Sequence, residues 1–102
     1  MEVFLDDKEL EKLYTTGQSK KLKLDKQVVE KFFAAIQKIE AAVSVHDLWA
    51  DKGLGFESLA NSKRYSVRLN RKYRLEMTIE WLDKDSTIGR FHLLEISKHY
   101  GD

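Results

Sequence analysis

The apolar residues of this chain change period once, near its middle. Val28, Val29, Phe32, Phe33, Ile36, Ile39 and Val43 recur at helical spacing, with Lys26, Glu30, Lys31, Lys38 and Glu40 mostly between them. That spacing predicts an amphipathic helix of about four to five turns, N-capped by Asp25. Past residue 64 the period falls to two. Tyr65, Val67 and Leu69 alternate with Arg64, Ser66, Arg68 and Asn70. Tyr73, Leu75, Met77, Ile79 and Trp81 alternate with Arg74, Glu76, Thr78 and Glu80. Successive side chains of a strand point to opposite faces, so both runs read as half-buried strands, and "NRK" between them makes a hairpin. "DKDSTIG" is a second turn, and "RFHLLEIS" a further strand leading to the tail "KHYGD".

Upstream, Glu2–Leu5 reads as a first strand. "DDKELEKLYTTG" reads as a short helix capped by Asp6 or Asp7, apolar on Leu10, Leu13 and Tyr14, and stopped by Gly17. "SVHDLWADKGLG" is a glycine-bearing connection with room for one helical turn. Helices followed by a run of strands imply an α+β fold. Two N-terminal helices would cover one face of a twisted, mainly antiparallel sheet of four to five strands.

With 102 residues and 42% apolar content, the chain supports one domain, residues 1–102, around one core. It has no cysteine, hence no disulfide, thiolate metal site or cysteine nucleophile. The acidic start "MEVFLDDKEL" lacks the apolar region of a signal peptide, and no apolar run reaches membrane-spanning length. These features lead us to expect a cytoplasmic location and no membrane partner. The long helix has a polar face of mixed sign, which suits covering a core better than lying on a membrane. His46 and His92 have no second histidine at ligand spacing and no acidic cluster, so neither a metal nor a cofactor is expected. Trp49 and Trp81 read as packing residues.

Charge is distributed unevenly. The formal net charge is only +1, yet Lys63, Arg64, Arg68, Arg71, Lys72 and Arg74 crowd into one hairpin, and no acid occurs from Ser58 through Leu75. Alternation puts Arg64, Arg68 and Arg74 on the face opposite the apolar residues. Guanidinium groups there suit bidentate recognition of phosphate, whereas the plainer reading is a solvated face with ion pairs to Glu76 and Glu80. The acid-free stretch tilts the balance toward an anion site.

The residues "SLANSKRYSVRLNRKYRLEMTIEW" resemble the core of the HigB toxins, a branch of the RelE/ParE superfamily of toxin–antitoxin systems. The resemblance runs through Leu59–Ala60, then Tyr65-Ser66-Val67-Arg68-Leu69-Asn70, then Tyr73-Arg74. "ELEKLYTTGQSKKLKL" is similar to the family's first helix and basic connector, and "LLEISKHYGD" to its last strand and tail, so the likeness covers nearly the whole chain in order. It implies a RelE-like microdomain that cuts messenger RNA on the ribosome without a metal or cofactor, and so inhibits translation. It also implies a HigA-type antitoxin as partner, with messenger and ribosomal RNA as further partners and operator DNA reached only through the antitoxin.

In that superfamily the RNA 2′-hydroxyl attacks the adjacent phosphate. The resemblance then implies that Arg68 and Arg74 stabilise charge on phosphorus, the term on which such catalysis most depends. Lys63 and Arg64 would hold flanking phosphates. Arg71 and Lys72, beside Asn70 in the turn, would reach ribosomal RNA. Lys98, His99 and Tyr100 are the candidates for proton transfer, a contribution of about 10²–10⁴-fold, with Tyr100 also suited to stacking on a base. The chain departs from the family where Glu57 replaces a histidine, where His99-Tyr100 reverses the usual order, and where Ala60 stands for a lysine now displaced to Lys63. Glu57 is therefore a candidate base, an orienting group or a plain surface carboxylate. Two other readings stand beside the nuclease: a ParE-like inhibitor of DNA gyrase, and a non-catalytic RNA-binding module. If the nuclease assignment holds with both arginines on an open face, replacing Arg68 or Arg74 by Ala abolishes toxicity and leaves folding intact.

Overall fold

The computed structural model describes residues 1–98. In chain order the elements are β1 (Val3–Leu5), α1 (Lys8–Thr16), α2 (Lys26–Ala41), α3 (Val45–Ala50), β2 (Glu57–Ser58), β3 (Tyr65–Arg68), β4 (Tyr73–Trp81) and β5 (Gly89–Lys98). The five strands form one sheet in the order β1-β5-β4-β3-β2. Only β1 runs parallel to its neighbour, because helices intervene before the chain returns to pair with it, whereas β2 to β5 follow one another as antiparallel pairs. The fold is α+β, with helices on one face of a mainly antiparallel sheet, as the change of period predicts.

The core lies between that face and the helices. Leu10 and Leu13 of α1, Val28, Phe32, Ala35, Ile36 and Ile39 of α2, and Val45 and Leu48 of α3 pack on Val67, Leu75, Met77, Phe91 and Leu93 of the strands. The helix starts and stops are local chemistry. Asp7 accepts the N–H groups of Glu9 and Leu10 at 3.0 and 3.1 Å, and Gly17 ends α1 with φ +75°, a conformation glycine adopts without strain. Asp25 sits at the start of α2 but makes no side-chain cap.

One expectation is corrected, and two elements fill places that the sequence left open. α2 ends at Ala41, so Val43 lies outside the helix and is 80% exposed instead of completing the apolar stripe. The stop comes from distant groups: the Met1 ammonium donates to the carbonyls of Ile39, Glu40 and Ala42 at 3.0–3.1 Å, and the Val43 N–H turns to Asp47. The connection after α2 holds a third helix, α3, opened by Ser44 accepting the His46 N–H. A two-residue strand, β2, precedes the hairpin and pairs with Ser66 and Tyr65.

Candidate functional site

Arg64, Arg68 and Arg74 alternate with the core residues of the hairpin, but they do not share one environment. Cross-strand register sets Arg68 opposite Arg74, and Ser66 opposite both Glu76 and Glu57. Arg74 is buried, at 9% exposure, which corrects the expectation that it stands on an open face. Its Nε donates to the Ser66 hydroxyl at 2.8 Å, one Nη2 hydrogen bond goes to the Gly55 carbonyl, and Nη2 lies 3.5 Å from Glu57. A guanidinium presents its donors in a fixed fork, and here Nε and Nη2 are both taken by protein. Arg74 ties the segment before β2 to the hairpin, and Glu57 is its half-exposed counter-ion.

Arg64 is similarly occupied. One terminal nitrogen lies 2.9 Å from Glu76 and 2.6 Å from Glu95. The hydrogen bonds it donates to Glu95 and then to Glu76 raise its pKa above the ordinary guanidinium value. Holding a flanking phosphate would mean displacing two carboxylates, so this arginine matches the ion-paired sheet face that charge alone left open. The acid-free stretch in sequence is misleading because Glu95 comes from β5 and reaches Arg64 only across the folded sheet.

Arg68 is different. It is exposed, and among the described residues it forms no ion pair. Its backbone is fixed by an N–H bond to the Leu54 carbonyl at 2.8 Å. The chain beside it is Gly55, at φ +59°, where an added Cβ would lie 3.1 Å from the Arg68 Cβ and 3.7 Å from Arg74 Nη2. The glycine thus answers both a left-handed backbone and a close approach, and it lets the two arginines sit side by side.

Arg68 also lines a cleft of about 670 Å³ with Leu69 and Asn70 of the hairpin, Gln27, Glu30, Lys31 and Ala34 of α2, and Lys52 and Gly53 of the turn before β2. Residues 27, 31 and 34 recur at helical spacing on one flank of α2, so a single row faces the cleft. The turn is held by Asp51. Its carboxylate accepts the Leu54 N–H at 3.1 Å and pairs with Lys38 at 2.9 Å, and the Lys38 hydrogen bond chiefly holds its pKa below the usual carboxylate value. The cleft therefore gathers Arg68, Lys31 and Lys52 against one carboxylate, Glu30, a balance that favours an anion.

The other predicted residues are scattered. Asn70 uses its side-chain oxygen to accept the N–H groups of Lys72 and Tyr73, both at 2.8 Å, which shapes the turn. Arg71 and Lys72 are exposed at the tip of that turn, and Lys63 is exposed in the loop before β3. Lys98 pairs in register with Tyr73, one residue out of phase with Arg74, so alternation assigns it to the opposite side of the sheet from the arginines. His99 and Tyr100 lie outside the described residues. His92 bridges Asp6 at 2.9 Å and Glu80 at 3.3 Å on the outer face. Among the described residues no group of three histidine, cysteine or acidic side chains is arranged to hold a metal ion.

Lys31 and Lys52 are the cleft residues that sequence reasoning missed. Their signal was present but faint. Ala34 is a small residue one turn beyond Lys31 on the flank of the stripe, and Gly53 follows Lys52. Both leave room beside a cation. No protein-family model matches this chain, and no curated protein matches it in sequence.

Proposed function

We propose that the chain acts on RNA, as a metal-independent endoribonuclease of the HigB type that is neutralised by a HigA-type antitoxin. The observation that carries this reading is Arg68, exposed and without an ion pair among the described residues, which lines a cleft together with Lys31 and Lys52. In such a reaction the 2′-oxygen forms a bond to phosphorus, the bond from phosphorus to the 5′-oxygen breaks, and a 2′,3′-cyclic phosphate remains. Negative charge accumulates on the non-bridging oxygens at the transition state. Arg68, already oriented by its backbone and by Gly55, would meet that charge without reorganising. Arg74 would hold the loop that supports Arg68 and would not touch the phosphate. His99 and Tyr100 remain the proposed proton-transfer groups.

A second reading, an RNA-binding module without cleavage, is favoured by one observation. Glu57 is engaged with Arg74 and Lys98 belongs to the other side of the sheet, so neither stands ready for proton transfer at Arg68. One experiment separates the two readings. The protein and its Arg68→Ala variant are induced in bacteria, and new 5′ ends are mapped across transcripts. Cuts within translated codons that disappear when initiation is blocked, and that Arg68→Ala suppresses, support the ribosome-dependent nuclease. Crosslinking to RNA without cuts supports the binding module. Growth arrest with neither cuts nor crosslinks points to a gyrase-type inhibitor.

A further inference from the structure

The walls of the Arg68 cleft belong to separate elements, and an ion pair joins two of them. Gln27, Lys31, Ala34 and Lys38 recur at helical spacing, so they stand in one row along α2. The first three line the cleft, and Lys38 continues the row one turn beyond Ala34. There Lys38 Nζ meets Asp51 Oδ2 at 2.9 Å. From Asp51 an unbroken set of bonds leads to the arginine. Asp51 Oδ1 accepts the Leu54 N–H at 3.1 Å, and the Leu54 carbonyl accepts the Arg68 N–H at 2.8 Å. The next carbonyl, that of Gly55, accepts from the Arg74 guanidinium.

Lys52 and Gly53, which line the cleft, are the two residues enclosed by the Asp51–Leu54 turn. Both are exposed. The bonds inside the turn, from the Leu54 N–H to the Asp51 carbonyl and from the Gly55 N–H to the Lys52 carbonyl, shape it but do not tie it to α2. Leu54 pins one end of the turn in the core, at 3% exposure. The Lys38 pair pins the other end, and it reaches α2 through the same row that forms the helical wall.

We propose that Lys38 and Asp51 are positioning residues for RNA bound at this cleft. Their ion pair fixes the turn against α2, and so holds Lys52 in place relative to Arg68 and Lys31 before a phosphate arrives. Placing the cations in advance spares the cost of ordering them on binding. This role rests on the RNA reading of the cleft, and it adds two residues that touch no substrate. Charge alone gives Asp51 the opposite role. A carboxylate beside three cations weakens the field that draws an anion, so its loss would tighten RNA binding. A positioning role requires its loss to weaken binding.

The sign of that change is the test. The full chain is titrated into a short labelled oligoribonucleotide and followed by fluorescence anisotropy across a salt series. Asp51→Asn keeps an oxygen for the Leu54 N–H and removes the charge that holds Lys38. It should weaken binding about fivefold at about 0.1 M salt, and reduce the magnitude of the salt slope by about 0.7, the share of one phosphate contact, although Lys52 itself is unchanged. Lys38→Met should do the same, and Lys38→Arg should keep the parental affinity and slope. In a Lys52→Ala background Asp51→Asn should cause no further loss. Hydrogen exchange at the Arg68 N–H, measured by NMR without RNA, should quicken in both Asp51→Asn and Lys38→Met. Parental or tighter binding by Asp51→Asn overturns the proposal, because charge alone then describes Asp51. So does a loss that persists undiminished in the Lys52→Ala background. Failure of the RNA reading looks different: the parent shows no salt-dependent binding, or Arg68→Ala binds as the parent does. Exchange at Arg68 then decides by itself, and an unchanged rate in Asp51→Asn overturns the positioning role.

Discussion

Neighbouring arginines of one hairpin do different work here, and the difference is measurable. Removing Arg74 leaves the Ser66 hydroxyl, which has no exposure, and the Gly55 carbonyl without their donor. Leaving buried polar groups unpaired costs roughly 1–3 kcal/mol each, so Arg74→Ala should destabilise the fold by about 2–3 kcal/mol. In a domain of this size that lowers Tm by on the order of 10–20 °C. Arg68→Ala removes an exposed side chain and should change stability by no more than about 0.5 kcal/mol. Thermal unfolding by circular dichroism checks both. If Arg74→Ala melts like the parent, the clamp is not structural. The sequence could not separate the two residues. Both sit at polar positions of a period-two pattern, and what buries Arg74 is the approach of residues 54–57, which local pattern does not encode. The cleft was hidden for the same reason. Lys31 and Lys52 are distant in sequence from Arg68, and only the packing of α2 and the turn before β2 on the hairpin brings them to one wall.

At the scale of elements, strong local signals read through and tertiary ones did not. The period change predicted the helices and the hairpin, because amphipathic patterning needs only the chain's own neighbours. The end of α2 did not read through, because carbonyls capped by the Met1 ammonium carry no local mark. The two aspartates that open helices give a test. Asp7 makes real cap bonds and Asp25 does not, so Asp7→Ala should cost about 1 kcal/mol and Asp25→Ala close to nothing, read from urea midpoints. Equal losses would refute the distinction. The β4–β5 turn makes a second prediction. Asp83 accepts the N–H groups of Ile88 and Thr87 and the Thr87 hydroxyl, and these bonds, the Ile88 N–H first, pull its pKa below the ordinary carboxylate value. A depressed folded-state pKa stabilises the fold above the unfolded value, about 3.9, and that contribution disappears as pH falls through the folded value. The Asp83→Asn variant should therefore lose less stability than the parent on acidification below about pH 4. Parallel acid limbs would mean that the turn bonds do not depend on charge.

Over the whole molecule, the net charge of +1 conceals a division of labour. The outer sheet face is largely paired: Arg64 with Glu76 and Glu95, Arg90 with Glu2 and Glu80, His92 with Asp6 and Glu80. Arg68, Lys31 and Lys52 at the cleft, and Arg71 and Lys72 at the hairpin tip, form no ion pair among the described residues. An RNA bound by the sheet face would have to break those pairs, whereas one bound at the cleft would release its own condensed counterions to three cations that form no ion pair among the described residues. For single strands the slope of log K against log salt is about −0.7 per neutralised phosphate, so contacts from Arg68, Lys31 and Lys52 predict a slope near −2. Each single Ala replacement among the three should reduce its magnitude by about 0.7. Arg64→Ala should leave the slope unchanged, since that arginine already has its carboxylates. Fluorescence anisotropy of a short labelled oligoribonucleotide across a salt series measures all four variants and the parent. A slope lowered by Arg64→Ala and untouched by Lys31→Ala or Lys52→Ala would move the RNA from the cleft to the sheet, and with it the role given to Arg68.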